Sequence, residues 1–342
     1  MSTGPTIDVH AHVMVPEVEV AVCGQPGLAA HRALALRHHG IESATESARV
    51  MAHRIVQLTD LGRRLRDMDA AGVDVQVLSP APEQYHYWTD EELARRVTKR
   101  ANRGVAAAVS QAPHRFAGLG LVPLHHPDLV IAALHDAVIE CGLRGVEFSS
   151  HAHGVELSDE RLEPFWSAAE ELGAVLFLHP DGCSLDGRLN RFYLCDTVGQ
   201  PAETATGLSH LIFAGVLDRH PGLRIVAAHG GGYLPTFIGR SDHAWQVRPD
   251  ARGCAQPPSR YLRRLHFDSV VHSPAALRAL VDAVGAGQVL LGSDYPFETG
   301  VEDPLRRLRF SGVEPGAQEA IRSANAVRLG LGPPVNSELN DQ

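Results

Sequence analysis

LGRRLRDMDAAGVDVQVLSPAP, residues 61–82, passes from a helical pattern over 61–72 into a short apolar strand over 73–82. The same helix-then-strand unit recurs downstream. A helix over 90–112 leads into RFAGLGLVPL at 115–124, one over 128–140 into RGVEFSS at 144–150, and one over 159–172 into AVLFLHP at 174–180. A further helix over 202–218 leads into RIVAAHGGG at 224–232, and two more strands follow, LHFDSVV at 265–271 and VLLGSDYP at 289–296. Upstream lies TIDVHAHV at 6–13, which makes eight strands alternating with helices. That alternation implies a closed (β/α)8 TIM-type barrel rather than an open doubly wound sheet. No glycine fingerprint follows the first strand, which excludes a dinucleotide-binding reading. Residues 1–342 are read as one barrel, with 14–60, where no clear alternation exists, as an insertion that caps it.

Composition narrows the chemistry. A chain of 342 residues, 44% hydrophobic, buries a large core. Its net charge of -9, with acidic residues scattered along the chain, excludes nucleic acid and anionic membrane as partners. No apolar run is long enough to span a bilayer, and MSTGPTID lacks the pattern of a secretion signal, so the expected location is the cytoplasm. The five cysteines lack paired spacing and are expected to be free thiols. Lys99 is the only lysine and lies in the charged helical stretch LARRVTKRANRG. Schiff-base and pyridoxal-phosphate chemistry and a P-loop are thereby excluded.

Barrel enzymes carry their reactive groups at the carboxyl ends of the strands. His10 and His12, two apart in TIDVHAHV, share one face of an extended strand, although a pair of this kind arises by chance in a chain with 20 histidines. His179 in LFLHP, His229 in AAHGGG and Asp294 in LLGSDYP also close apolar strands. One buried histidine is more often a satisfied core residue, but five such groups on one rim point to a metal. Three imidazoles and a carboxylate suit a divalent transition ion, most often zinc, while iron, manganese and cobalt fit the same set. Glu147 in RGVEFSS is read as interior polarity or a buried ion pair, so one ion is expected. His151 and His153 in SSHAHG fall in a loop past the fourth strand and are not taken as ligands. In RVMAHRIVQLTD, Arg54 is either a substrate contact lent by the cap or a surface arginine.

TIDVHAHV, FLHP, HGGGYLPTFIGRSDHAW (229–245) and LLGSDYPF, with MDAAGVDVQV (68–77) and PPSRY (257–261), resemble the amidohydrolase-2 superfamily over nearly the whole chain. Within it they resemble the branch of aminocarboxymuconate-semialdehyde decarboxylase. The resemblance implies a mononuclear zinc site of His10, His12, His179 and Asp294, with His229 as the acid–base group acting on metal-bound water. It also implies substrate contacts from Arg240, reaching into a neighbouring subunit, and from Arg248, and hence a homodimer. The H-x-H start agrees with this branch rather than with the E-x-H of γ-resorcylate-type enzymes. Two departures bear on the substrate. Arg54 is only an approximate counterpart of the family's cap arginine, and PDGCSLDGRLNRFYL (180–194) replaces a tryptophan-containing segment.

The expected reaction is metal-dependent non-oxidative decarboxylation of an unsaturated or aromatic carboxylic acid, aminocarboxymuconate-semialdehyde-like or hydroxybenzoate-like. Asp294 is expected to shuttle a proton and Phe297 to pack on the planar face of the substrate or in the core. Two alternatives use the same frame: a metal-dependent hydrolase or hydratase acting on a lactone, amide or alkene, and a non-catalytic sensor or scaffold.

Overall fold

Near-continuous apolar runs suit strands buried on both faces, and eight of them pair in parallel here. The computed structural model describes residues 4–152 and 154–334. The strands are β1 (Ile7–Val13), β2 (Val75–Pro80), β3, β4 (Gly145–Phe148), β5 (Val175–Leu178), β6 (Arg224–Ala227), β7 (His266–Asp268) and β8 (Val289–Leu290). β3 comes in two pieces, Phe116–Gly118 and Gly120–Leu121, broken at Leu119, whose N–H still donates to Leu78 O at 2.8 Å. The first piece pairs with β2 and the second with β4, so pairing runs unbroken from β1 to β8. Bonds from Val9 N to Leu291 O (2.9 Å), Asp294 N to His10 O (2.8 Å) and His12 N to Tyr295 O (2.8 Å) join the end to the beginning. The barrel is closed, as the alternation of elements implied, and leaves no open sheet edge.

The cores follow the two-residue period of the strands. Val75, Val77, Val175, Phe177, Val226 and Leu290 pack together inside the barrel. Their neighbours Leu78, Leu176, Leu178 and Ile225 pack outward with helix residues such as Phe165 and Trp166. On β1 the alternation shifts register between Asp8 and Ala11, a bulge that re-aims the residues beyond it.

Several strands are shorter than their apolar runs. β6 stops at Ala227 because Gly230, Gly231 and Gly232 all take positive φ. β8 stops at Leu290, after which the chain is held to β1 partly through side chains, with Ser293 N and Oγ donating to Asp8 at 3.0 and 2.5 Å.

Residues 14–60 fold largely as three helices, α1 (Pro16–Val22), α2 (Pro26–His39) and α3 (Ile41–Thr59), ahead of α4 (Leu61–Ala71). Proline stands in the first turn of α1 and α2, where its missing N–H costs nothing. Gly40, at φ 77°, joins α2 to α3 where a Cβ would come within 1.9 Å of Asn190 O, so only glycine allows the insertion to meet the 180–199 segment. Among the described residues no helix is long and apolar enough to cross a membrane.

Candidate metal centre

β1, β5 and β8 deliver four donors to one point at the carboxyl end of the barrel. His10 lies in the bulge on β1 and His12 beyond it, both fully buried; His179 and Asp294 lie just beyond β5 and β8. Their ligand atoms all fall within 4.8 Å of one another. His10 Nε2 is 3.0 Å from His12 Nε2, and both are 3.3 Å from Asp294 Oδ1. His179 Nε2 and Asp294 Oδ1 are buried without a hydrogen-bond partner. Buried polar atoms normally find one, and a convergence of imidazole and carboxylate donors is satisfied by a divalent cation. The residues therefore fit a single ion of the borderline class.

Neighbouring groups fix how these ligands point. Asp268, at the end of β7, accepts from His10 Nδ1 at 2.5 Å, which leaves Nε2 as the lone-pair nitrogen facing the site. The same carboxylate accepts the N–H groups of His229 (3.0 Å), Gly230 (2.8 Å) and Val270 (3.0 Å), tying the β6 turn to β7. His179 Nδ1 donates to Pro180 O at 2.9 Å. Behind β1, Asp8 accepts from Gln76 Nε2 at 2.9 Å and His10 N at 3.1 Å. Arg64 of α4, wholly buried, bonds Gln76 Oε1 at 2.8 Å, Gln57 O at 3.1 Å and the carbonyl of His12. Burial pushes the Arg64 guanidinium down to about 10. Glu147 is fully buried, 3.8 Å from His12 Nδ1, and burial raises its carboxyl.

His229 stands beside the donors, with Nε2 3.7 Å from Asp294 Oδ2. Its φ of 54° and that of Asp294, 60°, lie in the left-handed region, a cost of about 1–3 kcal/mol that side chains other than glycine bear mainly at functional sites. The following glycines make this turn possible: a Cβ on Gly232, at φ 64°, would come within 2.0 Å of Pro201 O. Burial opposes charge on His229, but Asp294, Asp268 and Asp196 outweigh it and raise its pKa. Burial would likewise raise Asp294, yet His10, His12 and His229 hold its carboxyl well below the usual range. His179 is driven well down by burial and by the neighbouring imidazoles. Site electrostatics thus favour an ionised carboxylate and a neutral His179, both in ligand form, beside a His229 able to carry a proton.

Past His229 and Asp294 opens a cavity of about 580 Å3, walled by Asp196, His272 and Glu298 and by apolar residues including Val270, Val271 and Leu280. The site thus gathers His10, His12, His179, Asp294 and His229. Phe297 packs its ring 5.2 Å from that of His12 and lines a neighbouring cavity of about 410 Å3. Arg54 lines that second cavity too and donates to Pro296 O at 2.6 Å. Arg240 is exposed on the helix Leu234–Val247, and Arg248, exposed, pairs with Asp250 at 2.8 Å. Neither Arg240 nor Arg248 enters the large cavity within one chain. His151 pairs with Glu203 at 3.2 Å, whereas His153 lies outside the described residues.

Sequence reading passed over Asp268, Asp8, Arg64, His272 and Asp196. Asp268 was open to detection, since it is an acid ending an apolar strand, as Asp294 nearly is. Arg64 carried no signal, being one of three arginines beside two acids in α4.

The amidohydrolase family model matches residues 7–329. The chain is 35% identical over 274 residues to the 2-amino-3-carboxymuconate-6-semialdehyde decarboxylase of Dictyostelium discoideum, covering 79% of this chain and 76% of that one. It is 29% identical over 265 residues to a gamma-resorcylate decarboxylase of a Rhizobium species, covering 72% and 80%. Among solved structures, the 5-carboxyvanillate decarboxylase of Sphingomonas paucimobilis superposes with a TM-score of 0.82 at 26% identity, over 95% of this chain and 98% of that one. Barrel, donor set and matched sequence agree: the chain belongs to the amidohydrolase family, in its branch similar to aminocarboxymuconate-semialdehyde decarboxylase.

Proposed function

We propose that this protein is a metal-dependent carboxy-lyase that removes carbon dioxide, without oxidation, from an unsaturated or aromatic carboxylic acid. The observation that carries the reading is the convergence of His10, His12, His179 and Asp294 beside His229, at the head of a cavity of about 580 Å3. The decarboxylases among its relatives support it. Substrates of the aminocarboxymuconate-semialdehyde or hydroxybenzoate type suit a cavity with one apolar wall and one polar end.

A divalent cation held by the four donors, zinc on the ligand chemistry, supplies Lewis acidity that polarises substrate oxygens and acidifies water. His229 would draw a proton from water through Nε2 and hold it next to Asp294 Oδ2, the hydroxide left behind being neutralised by a proton from solvent. From there the proton passes to the unsaturated carbon that bears the carboxylate, with Asp294 as the relay. That carbon then has an electron sink: its bond to the carboxylate breaks, the electron pair restores the double bond, and carbon dioxide leaves. Asp268 keeps the His10 ring and the His229 backbone in place throughout. Phe297 flanks His12 from the neighbouring cavity.

The arginines enter from outside the single-chain cavity. The helix Leu234–Val247 shows Arg240 on a face with Tyr233, Phe237 and Val247, of which Phe237 is 69% exposed. Apolar side chains this exposed on one face suit burial against a second copy, which would bring Arg240 and Arg248 toward the partner's substrate. Arg54 is the cap's contribution, across the Pro296 turn. All five cysteines are free, which fits a reducing compartment, and we assign the cytoplasm.

A panel of aminocarboxymuconate semialdehyde and hydroxylated benzoates, offered to metal-reconstituted protein, tests the reading. Carbon dioxide should appear in step with consumption of at least one acid. Hydrolysis or hydration of lactone, amide or alkene substrates, with no carbon dioxide from any acid, would replace decarboxylase with hydrolase.

A further inference from the structure

The lining of the large cavity is acidic. It holds three carboxylates, Asp196, Asp294 and Glu298, against two imidazoles, His229 and His272, and among the described lining residues no arginine or lysine. Asp294 is committed to the donor cluster and Glu298 is exposed to solvent. Asp196 is neither: it is half-buried in the cavity wall, near enough to His229 and Asp294 for their charges to act on its carboxyl, with the Tyr193 phenol beside it.

The segment bearing Asp196 is firmly held. Asp196 lies in the helical turn Cys195–Gly199, which runs directly into the helix Gln200–Phe213. Ser184 donates both its N–H (2.6 Å) and its hydroxyl (2.5 Å) to Glu203 of that helix. Gly199 packs so closely on Cys183 that a Cβ there would come within 2.6 Å of its sulfur. The carboxylate is therefore presented to the cavity from a fixed backbone, which is what discrimination between ligands requires.

Resting on the decarboxylase reading, we propose that Asp196 is the specificity-determining residue of this cavity, accepting a hydrogen bond from a hydroxyl or amino group of the substrate acid. An ionised carboxylate only accepts, so the matching group must be a donor. Methylating that donor leaves Asp196 facing an ether or tertiary amine with nothing to give it. Replacing the donor by a second carboxylate sets two anions against each other. Sites built around a polar contact reject analogues lacking it more strongly than apolar pockets reject a change of size. The cavity thus selects acids that carry a hydrogen-bond donor at this position.

Binding measured apart from turnover keeps this claim separate from the reaction class. Zinc-loaded protein is titrated by calorimetry with the isomeric hydroxybenzoates and aminobenzoates, their O-methyl and N,N-dimethyl counterparts, and benzene dicarboxylates. The best donor-bearing isomer should bind about tenfold or more tighter than its methylated counterpart, as expected for a hydrogen bond to a charged group. Whichever of the hydroxyl and amino series binds tighter identifies the donor. Asp196→Asn, which keeps a neutral acceptor, should lower that ratio, and Asp196→Ala, which keeps none, should bring it near unity, while metal content and melting temperature hold. Equal binding of donor and methylated acids by the wild type, no binding of any donor-bearing acid, or a ratio that survives both substitutions would overturn the assignment. Carbon dioxide release from the same acids reports on the decarboxylase reading separately, since binding selectivity can stand where turnover fails.

Discussion

Asp268 shows how much of the centre depends on residues that never touch the ion. Its carboxylate holds the His10 ring at 2.5 Å and accepts three backbone N–H groups of the β6 and β7 turns. Asp268→Asn should weaken metal affinity about 10–100-fold, because an amide can present an N–H to His10 Nδ1 and turn the ring's donor the wrong way. Chelator competition measures that loss, and an unchanged affinity would show that β1 alone orients His10. At this scale the four converging donors were legible and their supports were not. His10, His12, His179 and Asp294 each follow an apolar run with no use for a polar group, which marks them in the sequence. Asp8, Arg64 and Asp268 acquire meaning only through partners far along the chain, as in the bond between Ser293 Oγ and Asp8 at 2.5 Å.

Asp196 and Thr197, near the end of the segment 180–199, wall the large cavity, and an ion pair lies behind the segment. Burial alone would raise the Glu203 carboxyl, but hydrogen bonds from His151 and Ser184 hold it at about 2, while Glu203 in turn raises His151. A depressed carboxyl stabilises the fold above its unfolded value of about 4.3 and loses that contribution as pH falls toward 2. A raised imidazole stabilises below about 6.5 and loses its contribution as pH rises through its folded value. Melting curves of wild type and Glu203→Gln should therefore differ most between about pH 4.5 and 6.5, converge as pH falls toward 2, and narrow without closing as pH rises and His151 loses its charge, since the Ser184 hydrogen bonds to Glu203 remain. A constant difference across pH would mean that packing rather than charge anchors the segment. Strand positions were readable from their apolar period, but their ends were not, since the Gly230–Gly232 conformations and the Ser293–Asp8 bonds terminate pairing where the apolar run continues. The helices of 14–60 were unreadable for a related reason. α2 fully buries none of its residues, so no apolar face was imposed on its sequence.

For the molecule as a whole, the alternation of elements was enough to give the barrel, because a closed sheet with helices outside is the arrangement that buries eight apolar strands on both faces. It could not give the assembly, since an exposed face on one helix reads like any other surface. Light scattering should find a dimer, and Phe237→Glu should yield a monomer that keeps its metal and melting temperature but loses most of its turnover as Arg240 is withdrawn. A fully active monomer would remove the partner from the site. Carbon dioxide release should depend on one ion held by the four converged donors. Titrating zinc, and in parallel manganese, into chelator-stripped protein while following carbon dioxide release from the most active acid tests it most directly. Release should rise with added ion and saturate at about one ion per chain, with none from His179→Ala. Release that is independent of the ion, or that persists in His179→Ala, would contradict that dependence.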